Sequence, residues 1–161
     1  MKLKIATLFL LIHGLAVGAD ERWSTAIVAG VQIANTSNDT GSTAGVVCNV
    51  AKDSCLAYVR LPTVDCQDKD EYPMMLNSSV GAAPLTATCT TWGDSKYYVF
   101  DNFSITVQAF ESGGEVGFAM PMAGGQFRVI RFKTIGATAA IKEARQTPAP
   151  KPSSRKSELN L

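Results

Sequence analysis

Histidine is nearly missing from this chain: one residue in 161, His13. It falls inside Met1–Ala19, which reads as a secretory signal. Lys2 and Lys4 precede an apolar run from Ile5 to Ile12, and small residues Val17-Gly18-Ala19 lead to charged Asp20-Glu21. The competing reading is a buried N-terminal helix or strand, but the order of charge, apolar run and small-residue exit favours export. Cleavage after Ala19 leaves 142 residues and no imidazole. That absence excludes Ser-His and Cys-His nucleophilic schemes and removes the usual completing ligand of a zinc site. The chain therefore leans away from enzymes.

A surplus of charge is also missing. The whole chain has 15 basic and 14 acidic residues, and loss of Lys2 and Lys4 with the signal leaves 13 against 14. A nucleic-acid binder would show a basic surplus, and so would a domain held electrostatically on anionic lipid. The apolar run of the signal is too short for a stable span. No later stretch approaches the roughly 18 apolar residues of a membrane helix, so no transmembrane anchor is expected after cleavage. No cysteine stands at the cleavage site to carry a lipid, no C-x-x-C pair exists, and no internal repeat is present. No cofactor or metal is implied.

The short lysine-bearing start points to a bacterial protein, periplasmic or secreted. Four N-x-S/T triplets begin at Asn35, Asn38, Asn77 and Asn102. They would be glycan acceptors in a eukaryotic secretory pathway and are expected to be inert here.

What is present from Trp23 to Thr134 is a succession of short β segments between turn clusters. The expected strands are Ala26–Ala34, Ala44–Val50, Cys55–Leu61, Tyr72–Asn77, Leu85–Trp92, Lys96–Phe100, Phe103–Phe110, Val116–Met120 and Phe127–Thr134. Asn35–Thr43 and Pro62–Glu71 are expected loops. The Phe103–Phe110 expectation rests on strict alternation of Phe103, Ile105, Val107 and Ala109 with polar partners. Ala137–Arg145 has no Gly or Pro and is rich in helix formers, so it reads as one short helix hinged at Gly136. Close strand spacing with no earlier crossover helix predicts an all-β, mainly antiparallel fold, a compact barrel or sandwich of about nine strands. The domain organisation is then a signal at 1–19, a β domain at 20–145, and a Pro/Ser/charged tail at 146–161 too poor in apolar residues to bury a face.

The four cysteines, Cys48, Cys55, Cys66 and Cys89, all lie beyond the signal. Three pairings are possible, and proximity favours 48–55 with 66–89. If Lys52-Asp53 formed a two-residue turn, Cys48 and Cys55 would be diagonal, with Cβ atoms about 7 Å apart. A disulfide needs about 4 Å, so the bond requires direct opposition and a six-residue loop, Asn49–Ser54. Closure entropy gives about 2.5 kcal/mol for the short ring and about 3.5 kcal/mol for the ring closed by Cys66–Cys89.

Candidate binding residues sit near the second bond. The stretch Asp65–Glu71 is acidic, yet it lacks the glycine and ligand spacing of an EF-hand loop, and a glycosidase pair would lie across a cleft. A solvated loop is its plain reading. Tyr97 and Tyr98 belong to the densest aromatic cluster, with Phe100, Phe103 and nearby Trp92. Alternation sends one of the two tyrosines into the core and leaves the other free to bind. Cys66–Cys89 joins the acidic loop to the strand that leads through Trp92 into these tyrosines. Asp68, Asp70, Glu71 and whichever of Tyr97 and Tyr98 is exposed are therefore the candidate binding residues. Among cations, Arg128 faces opposite to Arg131 and Lys133 on one strand. A Ser-Lys dyad using Lys96 or Lys133 has no motif behind it. Ser153–Lys156 matches S-x-x-K but lies in the tail, where no oxyanion hole can form.

Val129–Ile141 (VIRFKTIGATAAI) resembles the close of the invasion-associated locus B proteins, secreted bacterial proteins in which a late strand leads through glycine into an alanine-rich helix. The resemblance covers thirteen residues and does not extend to the cysteines; no function is carried over from it. The expected function is a non-catalytic exported β domain that binds a protein or cell-envelope component. The alternatives are a periplasmic inhibitor of a host or rival hydrolase, and a carboxylate-dependent hydrolase.

Overall fold

The computed structural model describes residues 21–146; the segment expected to be a signal, 1–19, and all of the expected tail at 146–161 except Gln146, which closes the last helix, lie outside them. Nine strands run antiparallel in one sheet: β1 Ser24–Val28, β2 Val31–Ser37, β3 Thr43–Asn49, β4 Ser54–Arg60, β5 Glu71–Ser78, β6 Gly81–Trp92, β7 Ser95–Phe100, β8 Glu115–Pro121 and β9 Phe127–Lys133. Their order across the sheet is β1-β2-β3-β4-β7-β6-β5-β8-β9. Helix α1 spans Phe103–Glu111 and α2 spans Ala137–Gln146. The all-β antiparallel expectation holds, in the form of a curled sheet that does not close. Its first and last strands are unpaired with each other. The turn after β2 reaches β9 through Asn38 Nδ2, which donates to the Arg131 carbonyl at 3.0 Å.

Three segments differ from the sequence expectation. Phe103–Phe110 is a helix, not a strand. Its buried Thr106, Val107 and Phe110, with half-buried Phe103, repeat at helical spacing, while Ile105 is exposed. Both periods fit these eight residues, and the cap decides between them. Asn102 Oδ1 accepts from the Ile105 amide at 3.1 Å, and Thr106 Oγ1 donates to the Asn102 carbonyl at 2.8 Å. The described residues therefore hold two α-helices rather than one. Ala26–Ala34 is two strands, not one. A two-residue turn at Ala29-Gly30, with φ of 49° and 82°, folds β1 onto β2 and leaves Val28 opposite Val31. Left-handed alanine is uncommon, so a β-branched run concealed the turn. Asn35–Ser37 belongs to β2 rather than to a loop, and only residues 38–42 turn. The total of nine strands survives because one segment splits and another leaves the sheet.

The remaining strands follow their alternation. Residues facing inward include Ala34, Val46, Ala57, Leu76, Ala87, Phe118 and Phe132, all at 2% exposure or less. Phe118 stands at the centre, stacked on Phe100 at 4.8 Å and edge-on to Phe110 and Phe132. The two helices close the concave side with Val107, Phe110, Ala140, Ile141 and Ala144. Small alanines on α2 let the helix lie close to β2. Trp23 packs on Phe110 at 4.9 Å, and its Nε1 donates to the Lys133 carbonyl, tying the start of β1 to the end of β9. Gly136 takes φ of 83° between β9 and α2, as the hinge expectation required. Glycine is also obligatory at Gly45 for a different reason. A Cβ there would stand 2.7 Å from the Ala34 carbonyl and 2.9 Å from the Tyr58 ring.

Candidate functional site

Both disulfides have the expected partners, Cys48–Cys55 and Cys66–Cys89. Cys48 lies directly opposite Cys55 in the β3–β4 register, with Asn49 opposite Ser54. The connection is therefore a four-residue turn, Val50–Asp53, in which Asp53 is left-handed. The acidic candidates, Asp68, Asp70 and Glu71, lie in the segment that Cys66–Cys89 fastens to β6.

The segment between β4 and β5 turns inward twice, at Leu61 and Cys66, and exposes Asp65 and Gln67–Asp70. Several contacts hold it. Cys66 is bonded to Cys89, with Cα atoms 6.0 Å apart. The Lys69 amide donates to the Cys89 carbonyl and the Cys89 amide to the Asp70 carbonyl, both at 2.8 Å. These bonds prolong the β5–β6 ladder past Glu71, with Lys69 at φ 72° marking the kink. Asp68 Oδ1 accepts from the Thr91 amide at 2.9 Å, and the Gln67 amide donates to the Tyr72 hydroxyl at 2.9 Å. Lys96 Nζ donates to the Cys66 carbonyl at 2.7 Å and forms an ion pair with Asp65 at 2.8 Å. The hydrogen bond and charge of Lys96 hold the Asp65 carboxyl below its ordinary range.

The candidate residues thus divide. Asp68 spends one oxygen on the sheet. Asp70 and Glu71 are exposed and have no side-chain partner among the described residues. Tyr98 is 1% exposed and belongs to the core. It lies edge-on to Tyr72 at 5.3 Å, and its buried hydroxyl has no hydrogen-bond partner among the described residues. Burial, with the proximity of Tyr72, pushes its pKa up to about 12. Tyr97 is the outward member of the pair and is half-buried. It packs against Trp92 at 4.7 Å and edge-on to Tyr58 at 5.3 Å. Asp70 bonds beside Cys89 on β6, and Thr90 of β6 faces Tyr97 on β7. The acidic loop and Tyr97 are thus two strand spacings apart, about 10 Å.

Lys96 was not singled out for this loop by the sequence. Its parity with Tyr98 on β7 was the available signal, since it places the ammonium on the side of Cys66. Tyr58 had no signal at all. It faces outward on β4, yet it is 4% exposed because Gly45 admits its ring and Trp92 and Tyr97 cover it. Burial raises its pKa, with Asn35 pulling the other way.

The two lysines considered for a Ser-Lys dyad are both ion-paired, Lys96 with Asp65 and Lys133 with Glu21. Glu21 holds the Lys133 ammonium above its ordinary pKa, the opposite of what a general base requires. Arg128 faces inward and donates to Thr63 Oγ1 at 2.7 Å, opposite in direction to exposed Arg131 and Lys133. Among the described residues no group of three His, Cys, Asp or Glu side chains is arranged to hold a metal ion, and no helix is long and apolar enough to cross a membrane. The S-x-x-K match at Ser153–Lys156 lies outside the described residues.

No protein-family model and no curated protein matches the chain. Among solved structures it is similar to the crystal structure of invasion associated protein B from Bartonella henselae. The TM-score is 0.55 with 18% identity, over 76% of this chain and 90% of that one. At this identity the likeness establishes a shared fold.

Proposed function

We propose that this protein is an exported, non-catalytic β domain that binds a protein or cell-envelope component through the end of the sheet that carries Asp70, Glu71 and Tyr97. The observation behind this reading is the way the acidic loop is held. A disulfide, a prolonged ladder and Lys96 fix its backbone, while two carboxylates at its end point to solvent unpaired among the described residues. A loop ordered before binding loses little entropy on contact, and a neighbouring tyrosine offers contact area with few rotors. The two disulfides fit an extracellular or periplasmic location, where such bonds persist. The fold shared with an invasion associated protein fits the same placement.

The test is capture from envelope extract by the tagged mature protein. Asp70→Asn with Glu71→Gln, and separately Tyr97→Ala, should each lose the captured partner. The carboxylate changes should leave stability within about 0.5 kcal/mol, as for ordinary surface substitutions. Capture unaffected by both variants would remove this end of the sheet from consideration. The same rigid loop favours a second reading, an inhibitor that inserts it into a hydrolase cleft. Nanomolar blocking of a lysozyme or protease by the purified domain would single that reading out.

A further inference from the structure

The two disulfides stand in different surroundings. Cys66 and Cys89 are both buried, at 2% and 1% exposure. Cys48 is as deeply buried, at 1%, but Cys55 is only half-buried. Both Cys48 and Cys55 line a cleft of about 770 Å³ between the β3–β4 turn, α1 and α2. Four charged side chains line it as well. Lys142 and Arg145, three residues apart on one face of α2, supply cations. Glu111 at the end of α1 and Asp53 in the turn supply carboxylates. All four are exposed, and none forms an ion pair among the described residues. Glu111 also stands at the helix end where a carboxylate is least favoured and an incoming cation most favoured. The cleft thus brings together a reachable sulfur and unpaired charges of both signs.

We propose that Cys48–Cys55 is a thiol–disulfide exchange site, and that its cleft takes a small zwitterionic thiol of the glutathione type. The volume is that of an ordinary small-molecule site. The carboxylates of the ligand meet Lys142 and Arg145, whose guanidinium can hold a carboxylate by two parallel bonds. Its ammonium meets Glu111 and Asp53, and its thiol is brought to Cys55. Exchange begins when a thiolate attacks a disulfide sulfur, and access helps decide which sulfur is taken. Here that sulfur is Cys55 Sγ. A bond forms between it and the incoming sulfur, the bond to Cys48 breaks, and the electron pair leaves on Cys48 Sγ. Lys142 and Arg145 favour that thiolate until it takes up the proton released by the incoming thiol. A second small thiol then attacks the mixed disulfide and frees Cys55. In sum, two small thiols are oxidised to their disulfide and Cys48–Cys55 is reduced to two thiols. The β3–β4 register keeps the two cysteines opposed, so the hairpin outlasts its bond and the step reverses on oxidation.

The test incubates the folded mature protein with millimolar glutathione or 2-mercaptoethanol, alkylates free thiols at intervals and locates them by peptide mass. Glutathione should open Cys48–Cys55, with a mixed disulfide on Cys55, while Cys66–Cys89 stays closed. Lys142→Gln with Arg145→Gln should slow the reaction with glutathione about tenfold and leave that with 2-mercaptoethanol, which carries no carboxylate, unchanged. Both side chains are exposed, so circular dichroism and melting temperature should match the parent and show that the variant folds. Opening of Cys66–Cys89 first, or at the same rate, overturns the proposal. So does the absence of free thiols short of global unfolding. A variant that reacts with glutathione as fast as the parent, or that slows with both thiols alike, overturns it too.

Discussion

Two segments leave the ladder and return to it, the turn at residues 38–42 and the loop at residues 61–70, and they are held by different means. The turn is organised by one side chain. Asn38 Oδ1 accepts from the Thr40 amide, the Thr40 hydroxyl and the Ser42 amide, and its Nδ2 donates to Arg131 across the gap in the sheet. The loop has no such centre. Its two carboxylates nearest the bond are spent on Lys96 and Thr91, and its path depends on the link from Cys66 to Cys89. A five-residue excursion can be specified from within, because an asparagine reaches its own backbone two to four residues on. A ten-residue excursion has more closure entropy to overcome than its local bonds supply, and here a cross-link offsets it.

The largest break in this contrast should come from Cys66→Ser with Cys89→Ser. Urea unfolding should show a loss of about 3.5 kcal/mol. The paired change at Cys48 and Cys55 should lose less, about 2.5 kcal/mol or below, because those residues are already opposed by the β3–β4 register. Equal losses from the two pairs would mean that the loop needs no more help than the hairpin. Next comes Asn38→Ala, which strands buried donors in the turn and should cost about 2 kcal/mol by the same measurement. Asn38→Asp keeps the acceptors but loses the donor to Arg131, so it should fall between parent and alanine. If aspartate is as damaging as alanine, the latch to β9 matters and the turn does not.

Smaller effects sharpen the loop side. Lys96→Met removes both the ion pair with Asp65 and the bond to the Cys66 carbonyl. A stability change of at most about 1 kcal/mol is expected, as for an exposed pair. The same substitution should raise amide exchange between Asp65 and Asp70 while leaving residues 38–42 untouched. The smallest effect concerns acid. Because Lys96 lowers the Asp65 pKa, this carboxylate's contribution is complete above the ordinary aspartate value and is lost as pH falls through its lower, folded value. The amide shift of Cys66, which donates to Asp65, should therefore titrate below the ordinary aspartate range. Lys96→Met should bring that midpoint back up; an unmoved midpoint would show that the ion pair does not set it. At the alkaline end the sign is reversed. Tyr98 has a pKa raised to about 12, so its neutral form favours the fold below its ordinary value near 10, and that advantage fades as pH rises toward 12.

Much of the architecture was legible along the chain because strands expose their period. β3 to β9 fall within a few residues of their expected spans, apart from an earlier start of β6 at Gly81. Alternation correctly set Arg128 against Arg131 and Lys133, and required that one of Tyr97 and Tyr98 be buried. The errors also have physical causes. At Phe103–Phe110 two periods coincide, and the deciding group, Asn102, lies just outside the pattern. At Ala29-Gly30 the turn is made by an alanine in a conformation its type seldom takes. For the candidate site, the acidic residues, the tyrosines and the bond that brings them near each other could be read directly. Which tyrosine faces out, which aspartate is engaged by Thr91 and which by Lys96 could not, since those depend on the parity and neighbours of strands far apart in the chain.

Residue order by itself therefore determined the antiparallel β class and the closing helix, and favoured the disulfide pairing that the structure shows, because each follows from contacts or periods within a few dozen residues. Tertiary structure alone decided the rest: that the sheet curls but stays open, that Asn38 and Trp23 reach across to β9 and its end, and that Tyr58 is covered while facing outward. These outcomes arise where strands from the two ends of the chain meet, and no local pattern encodes how far the accumulated twist of nine strands carries one edge toward the other.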